Sequence, residues 1–424
     1  MLKTGAKVAA MLHNFKAWMR FPSNLFPNSS TFGPCCGAGT MFFVQITTCK
    51  HFTCLQIYIF ARNMLQNWLK PVEAKLARFA QAQPAHTLGA RIGIHQAAVP
   101  DLKKVQLALI GLSEPESNAI RTKLYGSAFA FPDHAIVDLG NVRKSSGDFL
   151  VPLLHELMSG HIVPILLGGS DELARAQFLA YQDRKALVNL AVIDERCRTD
   201  VQDVYGPLVA MRHPLLFHFG LLGFQTHQSP PDLVQALANK YFDLVRLGKA
   251  RNALEECEPV LRDADLLAFH LGALKQSEAP GVLNASPSGF FWEEACQLCR
   301  YAGMSDKLSS FGIYGYTAEK DRDDQTSQGI SQMIWYFMEG FFNRKGDYPV
   351  STSGLTEYVV DFRRLNYQLT FWKSVKTGRW WMQVPVPTKR KHERHRLVPC
   401  SYQDYQAACR EELPERLLQS LNRF

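Results

Sequence analysis

Acidic residues are missing altogether from the first 63 positions, which carry six Lys/Arg and no Asp or Glu. That stretch also lacks any sustained period of 3.6 or 2. Two readings of it stay open: an upstream extension ahead of a physiological start at Met64, or a basic targeting segment. Long apolar runs are scarce as well. The most apolar stretch, Met41–Ala61, is broken by Lys50 and His51, which makes a poor membrane span, so no membrane partner is expected. Cysteine is sparse beyond Met64: Cys197, Cys257, Cys296, Cys299, Cys400 and Cys409. Only Cys296 and Cys299 have a metal-like or redox-like spacing, and no second pair accompanies them. They read as two small residues on the buried face of a helix over Trp292–Ala302. No disulfide framework is implied, and a reducing cytoplasm fits. Positive charge is scarce where it would matter. The net charge is +8, but the 361 residues after position 63 carry only +2, so no polyanion and no nucleic-acid partner is expected. There is no internal repeat and no low-complexity tract.

What is present is the composition of a globular protein, 46% hydrophobic and 20% charged, long enough for one large core or two ordinary ones. Residues 64–83 read as one amphipathic helix. Strands and helices then alternate. Apolar strands are expected at Val105–Leu112, Ala135–Leu139, Ile162–Leu167, Leu187–Ile193, Leu215–Phe224, Asp265–Leu271 and Lys307–Tyr314. Helices are expected at Gly147–Gly160, Glu172–Asp183, Pro231–Leu247 and Thr326–Phe342. Fully apolar strands between helices predict a three-layer α/β/α doubly wound parallel sheet. After Gly346 the pattern turns β-rich, with a hairpin across Lys376-Thr377-Gly378 and a short helix over Ser401–Leu413. The expected organisation is a doubtful extension over 1–63, an α/β domain over 64–345, and an appended hairpin and helix over 346–424. The basic cluster Lys389–Arg396 reads as a solvated loop, with an anionic partner as the functional alternative.

Three apolar runs end in polar residues, as buried parallel strands do where they deliver side chains to a site. They are Pro164–Glu172, Leu190–Arg198 and Asp265–Gly272. His213, His218 and His227 surround another strand but show no zinc signature. In order and spacing the three runs resemble the arginase–agmatinase–formimidoylglutamase family, the ureohydrolases, in a divergent formimidoylglutamase-like bacterial branch. Leu274–Gly281 and Asn284–Gly289 continue the resemblance, with Ser288 as cap of a helix starting near Phe290. The likeness spans about residues 104–345.

The resemblance implies two Mn²⁺ ions held by Gly-Gly-Asp-His, Asp-Ala-His-x-Asp and Ser-Phe-Asp-x-Asp at strand ends. It also implies a bridging hydroxide that attacks a guanidinium or formimino carbon. In this chain Asp171 replaces the first ligand His. Asp194 is kept, Arg196 and Arg198 replace a His and an Asp, and His270 and Gly272 replace two carboxylates. Gly315 falls where the family has a substrate-binding Glu. A unit charge about 4 Å from a dication costs roughly 8 kcal/mol at an effective dielectric near 20, and Arg does not titrate away from the penalty. The expectation is therefore a degenerate binuclear site with no metal cofactor, in a catalytically inactive module that binds a small molecule or a protein. The fallback is a single ion on Asp171, Asp194 and His270, serving an active C–N hydrolase. A third reading is a scaffold acting through 346–424. Arg196 and Arg198 read either as structural ion pairs with Asp194, Glu195, Asp171 or Asp200, or as an anion pocket. His270 reads as a hydrogen-bonded core histidine ahead of a ligand. Membership of such a family also implies a homo-oligomer.

Overall fold

The computed structural model describes residues 65–183, 187–349, 353–363, 367–384 and 396–423. The expectations for 1–63 and for the basic cluster up to His395 lie outside them. Among the described residues no helix is long and apolar enough to cross a membrane.

Ten strands form the main sheet: β1 (Leu69–Lys70), β2 (Gly93–Ile94), β3 (Leu107–Gly111), β4 (Ile136–Val142), β5 (Val163–Leu167), β6 (Val188–Ile193), β7 (Leu216–Phe224), β8 (Asp243–Arg246), β9 (Leu266–His270) and β10 (Ser310–Tyr314). Their order is β1-β4-β3-β5-β10-β9-β6-β7-β8, with β2 beside β4. All pairings are parallel except β1 with β4. Strands β3, β5, β6, β9 and β10 are buried throughout because helices cover both faces. Leu107 and Leu109 join one core, whereas Ala108 and Ile110 join the other, as the two-residue period of a strand requires. The first core takes in the helices Glu114–Leu124, Trp292–Gly303 and Gln325–Phe342, the second Gly147–Ser159 and Leu173–Leu179. This is the three-layer α/β/α arrangement that the alternation of apolar strands and helices predicts. The chain runs outward from β6 to β8, then returns through β9 and β10 to close the gap between β6 and β5. The carboxyl ends of β5, β6, β9 and β10 therefore converge, and ligands of such sheets sit at that kind of crevice.

Three expectations are corrected. The single helix over 64–83 is interrupted: residues 65–68 are helical, Leu69–Lys70 pairs with β4, and a new helix runs over Ala74–Gln81. Pro71 has no N–H for a helical bond. The helix expected over Pro231–Leu247 stops at Ala238 and is followed by β8 and the helix Leu247–Asn252. Tyr241, at φ 57°, reverses the chain between them. Ser288 does not cap the next helix; the Phe291 N–H instead donates to Glu294 Oε2 at 2.9 Å, and the helix starts at Trp292. The expected C-terminal hairpin across Lys376-Thr377-Gly378 is present, and among the described residues it belongs to a four-stranded antiparallel sheet of β11 (Leu355–Phe362), β12 (Tyr367–Ser374), β13 (Trp380–Gln383) and β14 (Leu397–Cys400). Strand β14 tolerates Pro399 because it is an edge strand, and the helices Tyr402–Cys409 and Glu415–Arg423 follow it.

This smaller sheet has its own core around Phe362, Phe371, Trp380 and Met382. Polar contacts link this segment to the helices beside the main sheet. Buried Arg262 donates to the Cys400 carbonyl at 3.1 Å and lies 4.6 Å from the Trp381 ring. Arg379 pairs with Glu258 at 3.4 Å and Arg416 with Glu256 at 3.4 Å.

One buried histidine on the main sheet gives a pH prediction. His218 Nε2 lies 2.8 Å from Asp243 Oδ2, and its Nδ1 has no partner. Burial, then the charge of Arg423, pushes the imidazole below its ordinary range against the pull of Asp243. The folded state thus favours neutral His218. The associated stability is full above the ordinary histidine value and is lost as pH falls below it, at most about 1.4 kcal/mol per pH unit. Urea unfolding at pH 7.5 and 5.5 is expected to show a smaller acid-induced loss for His218→Gln than for the wild type.

Candidate functional site

The side chains of the cluster come from strand ends and from the loops that follow them. After β5 the chain turns through Gly168 and Gly169, at φ 64° and 132°, values that suit glycine. The Gly169 carbonyl accepts from Gly315 N at 3.0 Å, which ties the end of β5 to that of β10 and presents Asp171. Asp194 and Glu195 follow β6 directly. His270 is the last residue of β9, in register with Tyr314 of β10. The loop after β6 closes on itself, with Tyr205 N donating to the Arg198 carbonyl at 3.0 Å, and this places the Tyr205 ring beneath the strand ends.

Arg198 joins the strands. Its Nη1 donates to Asp171 Oδ2 at 2.6 Å and its Nε to Asp194 Oδ2 at 2.7 Å. Its Nη2 lies 3.6 Å from Glu195 Oε1. One guanidinium thus faces three carboxyl groups. His270 completes a second chain of contacts: Nδ1 is 2.8 Å from Asp171 Oδ1, and Nε2 is 2.6 Å from the Tyr205 hydroxyl. The tautomer follows from the partners. A carboxylate only accepts, so Nδ1 carries the proton and Nε2 accepts from Tyr205. Asp171 therefore accepts through both of its oxygens.

The charges settle around Arg198. Burial alone would raise the Asp171 carboxyl; the His270 hydrogen bond and the Arg198 charge outweigh it and hold Asp171 well below the carboxylate range. Burial, then the neighbouring Glu195, pushes Asp194 well up, while Glu195 is held low against its own burial by Asp194 and Arg198. The two adjacent carboxyls do not ionise independently. Burial keeps His270 below its ordinary value despite Asp171, so the ring is neutral near pH 7.

Arg196 differs from Arg198. Its side chain is 41% exposed, and its Nε donates to Glu195 Oε1 at 3.2 Å. Asp200, the fourth acid expected near the arginines, accepts from Val201 N instead. Gly272 abuts Glu195: a Cβ there would overlap the Glu195 carboxylate. Gly315 sits at φ 83°, and a Cβ there would come 3.2 Å from Asp171 Oδ1. Asp171, Glu195, Arg196 and Arg198 line an open cleft of about 360 Å³, together with Glu116, Asn284, Tyr316 and Thr317 among others, while Asp194, His270 and Tyr205 are buried. Glu195 stands where the sequence reading put it, as an ion-pair partner of the arginines. Sequence reasoning missed Tyr205, which reaches His270 only through the fold of its loop. Cys296 and Cys299 are buried on the helix Trp292–Gly303, and burial pushes both thiols up.

No family model matches the chain. Over 222 residues it is 21% identical to a formimidoylglutamase of Staphylococcus haemolyticus, covering 48% of this chain and 71% of that protein. Among solved structures it is similar to an oxidized formiminoglutamase of Trypanosoma cruzi, with a TM-score of 0.52 and 16% identity over 58% of this chain and 99% of that one. It is also similar to the formimidoylglutamase of Bacillus subtilis, with a TM-score of 0.50 and 19% identity over 58% and 91%. A Mn²⁺-containing structure of the Trypanosoma enzyme gives a TM-score of 0.51 and 16% identity over 57% and 96%. The fold is that of an arginase-like α/β protein, and in sequence the chain is distantly similar to a formimidoylglutamase.

Proposed function

We propose that this chain is a ureohydrolase-fold protein with a degenerate binuclear site, acting as a non-catalytic binding or interaction module. The observation that carries the reading is the Arg198 guanidinium, bonded at once to Asp171 at 2.6 Å and Asp194 at 2.7 Å. A pair of Mn²⁺ ions needs open lone pairs on hard oxygens and imidazole. Here both Asp171 oxygens accept hydrogen bonds, and both His270 nitrogens are engaged. Among the described residues no group of three His, Cys, Asp or Glu is disposed to hold a metal ion. The donor set does not fit the manganese pair, and the same contacts oppose a single ion on Asp171, Asp194 and His270. An anion pocket has little support at Arg198, whose charge is met by three acids. At Arg196 it remains open through the exposed part of the side chain.

A turnover panel tests the proposal. Full-length protein supplied with Mn²⁺ is expected to release no formamide, ammonia or urea from N-formimino-glutamate, arginine or agmatine. Metal-dependent release that disappears in His270→Ala would overturn it.

A further inference from the structure

The smaller sheet has one long open edge. Strand β11 runs for eight residues and pairs with β12 in unbroken register, from Leu355 opposite Ser374 to Phe362 opposite Tyr367. It has neither the proline nor the bulge that blunts an edge. The opposite edge strand, β14, has four residues and carries Pro399. The outer strands of the main sheet, β1 and β8, have two and four. The Gly354 carbonyl accepts from Val375 N at 3.2 Å, so Gly354 faces β12. By the alternation of an antiparallel ladder, Leu355, Glu357, Val359 and Asp361 then face away from it. Among the described residues nothing meets their N–H and C=O groups. The helix Tyr402–Cys409 lies across the face of the sheet and leaves the edge open, since Tyr405 meets the rings of Tyr358, Phe371 and Trp380 on three successive strands.

The side chains select what can pair there. Tyr358, Val360 and Phe362 point into the small core, whereas Glu357, Val359 and Asp361 are exposed on the other face. Among the described residues neither acid has an ion-pair partner. A second copy related by a two-fold axis would lie antiparallel to β11, with directly opposite residues on one face. An axis at Val359 sets Glu357 against Asp361 of the other copy, twice, which is repulsive. An axis at Tyr358 pairs no charges. An axis at Val360 sets Glu357 against Arg363, which is exposed directly after the strand. The same register brings Val360 to Val360 and Tyr358 to Phe362 on the inner face. Opposite charges thus meet outside while the apolar core continues across the junction. We propose that β11 is a self-association surface, where two copies of this chain pair edge to edge, centred on Val360, into one eight-stranded sheet. The surface is separate from the cleft, whose lining includes no residue of the small sheet.

Sedimentation velocity of the full-length chain, from about 1 to about 100 μM, tests it. The expected result is a reversible doubling of mass. Val359→Pro removes an outward N–H that the β11–β12 ladder does not use. It is expected to abolish the doubling and leave far-UV circular dichroism unchanged. Glu357→Arg and Arg363→Glu each set like charges opposite one another twice, and each should weaken association about tenfold. Mixing these two single variants sets opposite charges together again at both places, and should restore association to the wild-type level. The charge variants carry the test should Val359→Pro lose its circular-dichroism signal. A mass that none of the substitutions changes overturns the proposal, because association through any other surface would be untouched by them. A wild type that stays monomeric throughout also overturns it, and is the outcome expected if a different protein fills the edge. Single variants that associate less, with a mixture that recovers nothing, overturn it as well.

Discussion

Replacing Asp138 with alanine is expected to destabilise the protein by about 3–5 kcal/mol, among the largest effects of any single change. Arg121 and Asp138 are both fully buried and meet through two bonds, Nε to Oδ2 at 2.7 Å and Nη2 to Oδ1 at 3.0 Å. The same carboxylate accepts from the Tyr125 hydroxyl at 2.9 Å and from Gly140 N at 2.9 Å. Alanine would strand a guanidinium, a phenol and an N–H in the interior at once. The pair is costly to break, yet it is not for that reason a net source of stability. Removing both charges together, as in Arg121→Met/Asp138→Leu, should recover a good part of the loss. Chemical denaturation of the three variants measures the difference.

His270→Ala should cost about 2–4 kcal/mol, combining the cavity left by a fully buried ring with unmet partners at Tyr205 and Asp171. In a metal-dependent hydrolase this substitution would show itself first as lost metal and lost turnover. Here it should show as lost stability, with metal content and the absence of turnover unchanged. Urea titrations beside metal assays of the same preparations separate the two accounts.

How much of this could be read from the chain depended on where each residue's environment comes from. Strands β3, β5, β6, β9 and β10 were legible because burial on both faces makes them continuous apolar runs. Strand β8 was not, because an edge strand carrying Asp243 and Arg246 has no such run. Pro399 hid β14, and Pro71 carried the signal for the break in the first helix that periodicity alone overrode. At the site, Asp171, Asp194, Arg198 and His270 could be placed together because each follows a strand end in a recognisable order. Their pairing could not. Which acids Arg198 chooses depends on the loop that Tyr205 closes, and the seating of Glu195 against Gly272 depends on two strands distant in sequence. Both are set by tertiary packing, which local pattern does not encode.

The central claim is that a fixed guanidinium, and not a metal pair, neutralises the acids at the strand ends. Elemental analysis of full-length protein, produced with manganese in the medium and purified without chelator, tests it most directly. The account predicts no stoichiometric Mn, Zn or Fe. About two ions per chain, as a bridged binuclear site requires, would contradict it.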